Sequence, residues 1–465
     1  MNEEVCYMAA TQLADAIRSK ALSPREVMQA HLARTEAINS EINAIVTLAD
    51  DALDQARKAE EALMKGEVHG PLHGVPFTAK DCFDTHKLRT TRGSQIFADY
   101  LPEKDAVAVR RLKQAGGILL GKTNLPEFAL RGETANRVFG PTRNPWNRDR
   151  TSGGSSGGEC AAIAAGLSPL GIGTDMGGSN RLPAHYCGVV GLKPTHGRIP
   201  LTGSWPDLMC RHMHVGPIAR SVVDTALALS ILSGSDDHDP YAIRLRDFDL
   251  EELSGELTGL AVGFLTEAPF APVEAEIQTT VTRAAQTLER LGCRVTPVSF
   301  PWQDRQPITL CMDMLAAEAP QYLQTYTTGH EDILTPATIS LLELPIPSLA
   351  QYLEALAKRE SLAQDMTQFF AEHDILLCPT APVCAPCHET AVLSIGEQEV
   401  DAGQAANITA TFGLTGHPAL SVPFGLSPAG LPIGVQLVTQ PCSEGTLLRV
   451  AKALEQNGTP KRPPI

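Results

Sequence analysis

The sequence predicts an α/β protein with a mostly parallel or mixed β-sheet. Short apolar runs, typical of buried strands, alternate with segments of helical periodicity along much of the chain. The composition is that of a globular protein, with 43% hydrophobic and 20% charged residues among 465. A chain of this length can bury a large core, and neither an internal repeat nor a low-complexity tract interrupts it.

The first predicted elements are helices. Residues Ala9 to about Lys65 carry helical periodicity. Within them, the run Ser23-Pro24-Arg25-Glu26 predicts a helix start. Serine is a good N-cap, proline is favoured in the first turn, and a glutamate at the third position can bond back to the cap. We therefore expect an N-terminal helical segment over about residues 1–65.

Strands and helices then alternate. Strands are predicted at residues 72–81 (LHGVPFTAKD), 117–124 (GILLGKTN), 260–265 (LAVGFL) and 374–379 (DILLCP). Helices are predicted at residues 106–116 (AVAVRRLKQAG) and 275–291. Between about residues 300 and 373 the pattern is helical and punctuated by prolines, which predicts a helical insertion over one side of the sheet.

Charge and composition exclude several classes of partner. The net charge of −15 argues against a nucleic-acid or anionic-membrane partner, because both require a basic surface. The start MNEEVCYMAA lacks the regions of a signal peptide, and no apolar run approaches the roughly 18 residues of a membrane helix. Eleven scattered cysteines are typical of reduced thiols. We therefore expect a cytoplasmic protein.

One stretch matches the nucleotide-binding pattern G-x-x-x-x-G-K-T. It is GGILLGKT, residues 116–123. A phosphate loop leaves a strand and opens a helix, whereas here strand-like residues fill the loop and Pro126 follows closely. A core strand is the favoured interpretation, and a nucleotide-binding protein remains the distant alternative.

Two further motif matches are weak. CAPCH, residues 384–388, fits the haem-attachment pattern, but three nearby prolines favour a solvent-facing loop. GGSSG, residues 153–157, fits the nucleophile-elbow pattern, which requires a hydrophobic strand directly before it. The polar sequence NPWNRDRT stands there instead.

The stretch from residue 151 to 180, TSGGSSGGECAAIAAGLSPLGIGTDMGGSN, contains two glycine-flanked serines, Ser155 and Ser179. Either turn alone would ordinarily be a solvated loop. Together they flank apolar sequence that must be buried, and the amides of a tight MGGS turn can converge as an oxyanion hole requires. A nucleophilic serine also needs a base. Lys80 is a candidate, although spacing alone does not single it out.

The sequence GGSSGGECAAIAAGLSPLGIGTDMGGSNRLPAHYCGVVGLKPTHGRIP resembles the signature block of the amidase signature family. The likeness extends to HGVPFTAKD, GGILLGKTNLPEF, GPIARSVVDTALAL, TGHPALSVPFG and GLPIGVQLV, and so covers most of the chain outside the helical insertion. The resemblance implies one α/β domain over residues 1–465, with a central mixed β-sheet flanked by α-helices. An aryl acylamidase or a urethanase-like member is the subtype we expect.

The family's catalytic triad of serine, cis-serine and lysine falls on Ser179, Ser155 and Lys80 by motif. Ser179 would then be the nucleophile, and Ser155, in a cis peptide after Gly154, would relay the proton to Lys80. The base must be neutral, so its pKa must fall from about 10.4 toward neutrality. Burial away from carboxylates can lower it, and we expect Asp81 to point elsewhere.

The resemblance also implies the residues around the triad. The oxyanion hole would consist of the backbone amides of Met176, Gly177, Gly178 and Ser179. The supporting residues are expected to be Gly154, Ser156, Asp175 and Arg181, with Ser156 bracing its turn. No cofactor or metal is implied.

One residue departs from the family pattern. Many members have isoleucine directly after the nucleophile, whereas this chain has Asn180. Its side-chain amide could bond locally and orient the turn, or it could reach the substrate pocket.

We expect a hydrolase that cleaves linear amides through a serine acyl-enzyme, on small hydrophobic or aryl amides and with extension to esters and carbamates (urethanes). The pocket walls are expected in the insertion and the loop after Pro379, with the candidates Met312, Met314, Leu315, Tyr322 and Val383. A monomer or homodimer acting on a small-molecule amide is expected. The alternative is a protein like the A subunit of a glutamine-dependent amidotransferase, which would release ammonia to a partner protein.

Overall fold

One mixed β-sheet forms the centre of the computed structural model, which describes residues 3–209, 212–245, 248–267, 272–299, 306–459 and 462–465. Fifteen strands occur among these residues, in chain order: β1 Ile45–Leu48, β2 Pro76–Lys80, β3 Ile118–Thr123, β4 Arg143–Asn144, β5 Asn147–Thr151, β6 Leu170–Asp175, β7 Val190–Lys193, β8 His214–Ala219, β9 Ala261–Phe264, β10 Arg294–Pro297, β11 Ile375–Pro379, β12 Val392–Ile395, β13 Gln398–Asp401, β14 Ala419–Leu426 and β15 Pro432–Val438.

Eleven of these strands form the central sheet, in the order β1-β3-β2-β6-β8-β7-β14-β15-β11-β9-β10. The pairs β2–β3, β2–β6, β9–β11 and β9–β10 are parallel, and the other neighbours are antiparallel. The remaining four strands form two small hairpins, β4–β5 and β12–β13. The predicted fold class, a central mixed sheet flanked by helices, is confirmed.

Helices flank the sheet. Among the described residues they are α1 Glu3–Tyr7, α2 Ala10–Arg18, α3 Pro24–Ile42, α4 Ala52–Met64, α5 Val107–Gln114, α6 Gly157–Ala164, α7 Arg181–Cys187, α8 Val222–Leu232, α9 Ala275–Arg290, α10 Pro307–Thr327, α11 Pro336–Leu342, α12 Leu349–Glu372, α13 Asn407–Thr415 and α14 Glu444–Asn457. None of them is long and apolar enough to cross a membrane.

Side chains alternate between the two faces of each central strand, and the two faces contribute to different hydrophobic clusters. In β3, Leu119 joins a cluster with Phe77 and Leu112, whereas its neighbours Ile118 and Leu120 join the cluster around α6. This is the two-residue period of a strand that is buried on both faces. A third cluster lies between the insertion helices and α13.

Several elements lie where local features of the sequence predicted them. Ser23 caps α3 through a complete capping box with Glu26, and the strands β2, β3, β9 and β11 lie within the predicted ranges. The insertion contains α10, α11 and α12, while residues 300–305 lie outside the described part of the chain.

Two expectations are corrected by the structure. The N-terminal segment is not wholly helical, because Ile45–Leu48 forms β1, which pairs antiparallel with β3 at the edge of the sheet. The CAPCH loop does not simply face solvent. Cys384 is buried, with its Sγ 3.2 Å from Oε1 of Glu276, and only Cys387 is exposed.

Candidate active site

The parallel strands β2 and β6 bring the predicted base and the predicted nucleophile turn together. They are neighbours, so their carboxyl ends, at Lys80 and Asp175, lie at the same edge of the sheet. The fully buried Nζ of Lys80 donates to Ser155 Oγ at 2.7 Å and to Thr174 Oγ1 at 2.9 Å. The structure therefore joins two of the three predicted triad side chains by a direct hydrogen bond.

The turn that carries Ser155 depends on its glycines. The peptide bond between Gly154 and Ser155 is cis, and Gly153 has a φ of +78°. A Cβ on Gly154 would lie 2.7 Å from the Arg131 carbonyl oxygen, closer than real side chains approach. The turn is held by Thr134, whose Oγ1 donates to the Gly153 carbonyl at 2.8 Å. These contacts fix Ser155 beside Lys80.

Asp175 organises the turn that carries Ser179. Its carboxylate accepts from the amide of Gly178 at 2.8 Å and from the amide of Asn180 at 3.1 Å. It also forms a two-pronged ion pair with Arg181, at 2.9 and 2.8 Å. Burial alone would raise the pKa of Asp175, but the Arg181 guanidinium and these hydrogen bonds hold it below its ordinary value.

The same bond changes the expected oxyanion hole. The Gly178 amide is already committed to Asp175. Of the four amides expected from the sequence, those of Met176, Gly177 and Ser179 remain for a developing oxyanion. All three residues, with Gly178, line one cavity.

Asn180 bonds locally and does not reach the pocket. Its Oδ1 accepts from Ser156 Oγ at 3.0 Å, and its Nδ2 donates to the carbonyls of Leu192 and Gly216 at 3.2 and 3.4 Å. The Ser156 amide in turn donates to the Ser179 carbonyl at 3.0 Å. Asn180 and Ser156 thus tie the two serine turns to each other and to β7 and β8.

The environment of Lys80 shifts its titration toward the neutral form, although a pKa of about 8 leaves most of the amine charged at pH 7. Burial lowers the pKa of Lys80 to about 8. As expected, Asp81 points elsewhere, toward the buried Lys122, whose Nζ lies 3.0 Å from Asp81 Oδ1. Lys122 is the lysine of the nucleotide-binding pattern. It is fully buried and also donates to the Phe83 carbonyl and to Thr90, so this lysine is a core group of β3.

Sequence reasoning missed two polar residues beside the triad. Thr174 is the second hydrogen-bond partner of Lys80. The sequence feature that could have indicated it is a polar residue near the end of an apolar, buried strand. Glu159, on α6, accepts hydrogen bonds from Thr78 and Thr123 and is fully buried. Burial raises the pKa of Glu159 to about 7. Gly171 has no side chain, and the Glu159 carboxyl occupies the space that a Cβ at this position would fill.

Ser155 and Ser179 both face a cavity of about 640 Å³. Its apolar wall includes Leu130, Met176, Leu182, Ile308, Cys311, Met312 and Leu315. Its charged side chains are Arg131, Glu133 and Asp401. Glu133 accepts a hydrogen bond from His388 at 2.8 Å, and Asp401 Oδ1 accepts one from the Gly403 amide at 2.8 Å, so both carboxylates have a local partner. The cavity is thus apolar along one wall and carries both signs of charge.

Three of the five expected wall residues are placed elsewhere. Met312 and Leu315 line the cavity, whereas Met314 is fully buried among the insertion helices. Tyr322 packs in the same cluster, and its hydroxyl accepts from the Asp207 amide at 3.0 Å. Val383 packs against the β12–β13 hairpin.

This chain is similar in sequence and structure to known amidases. The family model described as Amidase matches residues 26–448. The A subunit of the glutamyl-tRNA(Gln) amidotransferase of Moorella thermoacetica is 36% identical, over 98% of this chain and 97% of that protein. A bacterial aryl acylamidase of the amidase signature family has a TM-score of 0.90 and 30% identity, over 97% of this chain and 96% of that chain. A structure from a vestigial protein complex, described as revealing the origins of an s-triazine catabolic enzyme, has a TM-score of 0.91 and 32% identity, over 98% and 100%.

Proposed function

Since this chain belongs to the amidase signature family and so hydrolyses amides, we propose that Ser179, Ser155 and Lys80 carry out that reaction through an acyl-enzyme. The observation that carries this assignment is the buried hydrogen bond of 2.7 Å between Lys80 Nζ and Ser155 Oγ, beside a cavity that Ser179 also lines. A nucleophilic serine needs a base within hydrogen-bonding reach. Here Ser155, the proposed proton relay, lies next to the proposed base Lys80.

The proposed reaction begins with attack of Ser179 Oγ on the substrate carbonyl carbon. The Ser179 proton passes to Ser155 Oγ while the Ser155 proton passes to the neutral Nζ of Lys80. Collapse of the tetrahedral intermediate breaks the carbon–nitrogen bond, and the same relay returns the proton to the leaving amine. Water then attacks the acyl-enzyme, its proton follows the same route, and the acid is released with Ser179 restored.

The tetrahedral oxyanion is proposed to lie on the amides of Met176, Gly177 and Ser179. Fixed backbone donors in a buried site stabilise charge that develops in the transition state, and one such donor is worth about 3–4 kcal/mol. Asp175 and Arg181 support the reaction by holding this turn, and Gly154 and Ser156 by holding the other.

Labelling and turnover test the nucleophile. We expect a serine-directed fluorophosphonate to label the wild-type enzyme and to leave Ser179→Ala unlabelled. Ser19→Ala is the matched control, since this exposed serine follows α2 and does not line the cavity, and it should still be labelled. Full labelling of Ser179→Ala would assign the nucleophile to another residue.

For the substrate, we propose small amides with an apolar or aryl acyl group. Met312, Leu315 and Cys311 form an apolar wall that a hydrophobic acyl group would cover. The same route extends to aryl esters and, more slowly, to carbamates, because a carbamoyl-serine is resonance-stabilised.

A glutamine-dependent amidotransferase component is the second candidate function. The curated relatives support this candidate more than the aryl or carbamate substrates, since three of them, at 35–36% identity, are A subunits of glutamyl-tRNA(Gln) amidotransferases. The cavity also offers Arg131 for a carboxylate and Asp401 for an ammonium group, as an amino-acid substrate requires. Such a protein would act within a complex rather than as a monomer or homodimer.

One assay separates the two candidates. Release of ammonia from glutamine and of aniline from acetanilide are measured with purified wild type and with Ser179→Ala as the blank. Faster turnover of acetanilide supports the hydrophobic-substrate proposal. Faster turnover of glutamine, together with a second chain that co-purifies, supports the amidotransferase candidate and rejects the first proposal.

A further inference from the structure

The turn that carries Ser179 packs against helix α13 at two points. Thr409 of this helix is fully buried, and its Oγ1 donates to the Gly177 carbonyl at 2.6 Å. Gly413, one helical turn later, lies against the Met176 carbonyl, because a Cβ on this glycine would overlap that oxygen. Helical residues at this spacing share a face, so one face of α13 meets two consecutive carbonyls of the turn.

The Thr409 hydroxyl has a second acceptor within reach, since its Oγ1 lies 3.0 Å from the Ala406 carbonyl. A hydroxyl carries one proton, and the shorter distance makes the Gly177 carbonyl the better-placed acceptor. The turn can approach Thr409 this closely because residue 178 is glycine. A Cβ on Gly178 would clash with Thr409 Oγ1, and its φ of +127° is also one that glycine accepts readily.

The Gly177 carbonyl depends on this side chain. The next carbonyl, that of Gly178, accepts from the Leu182 amide at 2.7 Å at the start of α7. The Gly177 carbonyl has no backbone amide partner in the described part of the chain, so the Thr409 hydroxyl is the donor that satisfies it. Glycine on both sides of this peptide leaves it free to rotate when no partner holds it.

The contacts with α13 also determine where the amides of the turn point. In a planar trans peptide the N–H and the C=O point in opposite directions. The Met176 carbonyl faces Gly413, so the Gly177 N–H of the same peptide points away from α13. Gly177 lines the catalytic cavity, and a Cβ on it would meet no atom within 4 Å. This proposed oxyanion donor therefore lies on the side of the turn that α13 leaves uncovered.

We propose that Thr409 is a positioning residue of the active site, whose hydroxyl holds the peptide between Gly177 and Gly178 in the orientation that oxyanion binding requires. Rotation of this peptide would break the bond from the Gly178 amide to Asp175 and displace the amides on either side of it. Thr409 does not line the cavity, so it acts through the turn. The inference rests on the proposed acyl-enzyme reaction, because it assigns a role in stabilising that reaction's oxyanion.

Thr409→Val tests the proposal, since it removes the hydroxyl and keeps the shape of the side chain. We expect kcat to fall about 10–100-fold, because complete loss of an oxyanion donor costs about 10²–10³-fold. KM should change by less than about twofold, because the oxyanion forms only in the transition state. Thr409→Ser keeps a hydroxyl and should restore kcat to within about threefold of the wild type. The substrate is acetanilide or glutamine, whichever the wild type turns over faster.

Thr411→Val is the matched control. Thr411 lies on the same helix and is also fully buried, but its Oγ1 donates to the Asn407 carbonyl within α13, at 3.3 Å. The same substitution there should destabilise the protein comparably and leave kcat of the folded fraction unchanged.

The rate of fluorophosphonate labelling is a second measurement that does not depend on the choice of substrate. The phosphonyl oxygen of the adduct takes the place of the oxyanion, so Thr409→Val should slow the labelling of Ser179 by about the same factor as kcat.

Equal kcat and equal labelling rates in wild type and Thr409→Val, with Ser179 labelled in both, would overturn this inference and leave the proposed reaction standing. Equal losses in Thr409→Val and Thr411→Val, or no recovery in Thr409→Ser, would also overturn it. A wild type that is not labelled at Ser179 would reject the proposed reaction, and this inference with it.

Discussion

Two lysines on neighbouring strands show how burial alone does not define a role. Lys80 and Lys122 are both fully buried, on β2 and β3. Lys122 meets a carboxylate, Asp81, and two further acceptors, whereas Lys80 meets only the hydroxyls of Ser155 and Thr174. A lysine without a carboxylate partner is the one that burial can neutralise.

We expect opposite consequences when either lysine is replaced. Lys80→Met should lower kcat by about 10²–10⁴, the usual worth of an acid–base group, while the protein stays folded. Lys122→Met should lower the free energy of unfolding by about 3–5 kcal/mol, because it leaves Asp81 buried without its partner. Chemical denaturation and turnover per folded molecule measure the two effects. If Lys122→Met abolished turnover in the folded protein and Lys80→Met did not, the two roles would be reversed.

The pH profile follows from the pKa of Lys80, which burial lowers to about 8. Because the neutral amine is the proposed base, kcat/KM should rise with pH below about 8 and level off above it. Thr174→Val removes an acceptor that favours the charged amine, so its profile should move to lower pH. An optimum near pH 5 in the wild type would exclude Lys80 as the base.

At the scale of the element, the turn between β6 and α7 is held by one buried ion pair. Asp175→Asn should lower kcat more than it alters KM, by about 10²-fold, because the turn amides lose the carboxylate that positions them. It should also lower the free energy of unfolding by about 3–5 kcal/mol, since Arg181 is left unpaired.

Glu444→Gln is the matched control for that turn. Glu444 forms a buried ion pair with Arg198, 3.1 Å apart, and also accepts from the Thr195 amide. Its loss should destabilise the protein comparably and leave kcat of the folded fraction unchanged. An equal fall of kcat in both variants would mean that lost stability, rather than a displaced turn, explains Asp175→Asn.

Elements with a local signal were predictable from the sequence. The capping box at Ser23 places the start of α3, and glycine-flanked serines mark the two turns. The strand β1 was missed because its four residues, within a stretch of helical periodicity, are too few to show the alternation that identifies a strand. The partners Thr174 and Glu159 lie far from Lys80 and Thr78 in the chain, and only the folded sheet shows that they meet.

The sequence also could not predict which side of α10 faces the cavity. Successive helical residues are about 100° apart around the axis, so Met314 and Leu315 point in different directions. Both are apolar, and the pattern of a helix that is buried on several sides does not reveal its rotation. Leu315 reaches the catalytic cavity, and Met314 packs into the insertion cluster.

At the scale of the whole molecule, the insertion helices and the sheet edge together enclose the catalytic cavity. The turn that carries Ser179 follows a strand of the sheet, while α10 supplies four of the seven apolar wall residues, Ile308, Cys311, Met312 and Leu315. If the proposed site is correct, a change in the α10 part of the wall should alter substrate preference without altering the chemistry.

The neighbours Leu315 and Met314 test this division. Leu315→Ala enlarges the cavity, so the ratio of kcat/KM for a 4-phenylbutyryl anilide to that for acetanilide should rise by about tenfold, within the 10–200-fold that one methylene can be worth. Met314→Ala leaves a core void instead and should lower the free energy of unfolding by about 2–5 kcal/mol with the ratio unchanged. Steady-state kinetics on both anilides and denaturation of both variants provide the measurement. A ratio that shifts equally in the two variants would show that general loosening of α10, and not the wall at Leu315, sets the size of the acyl group.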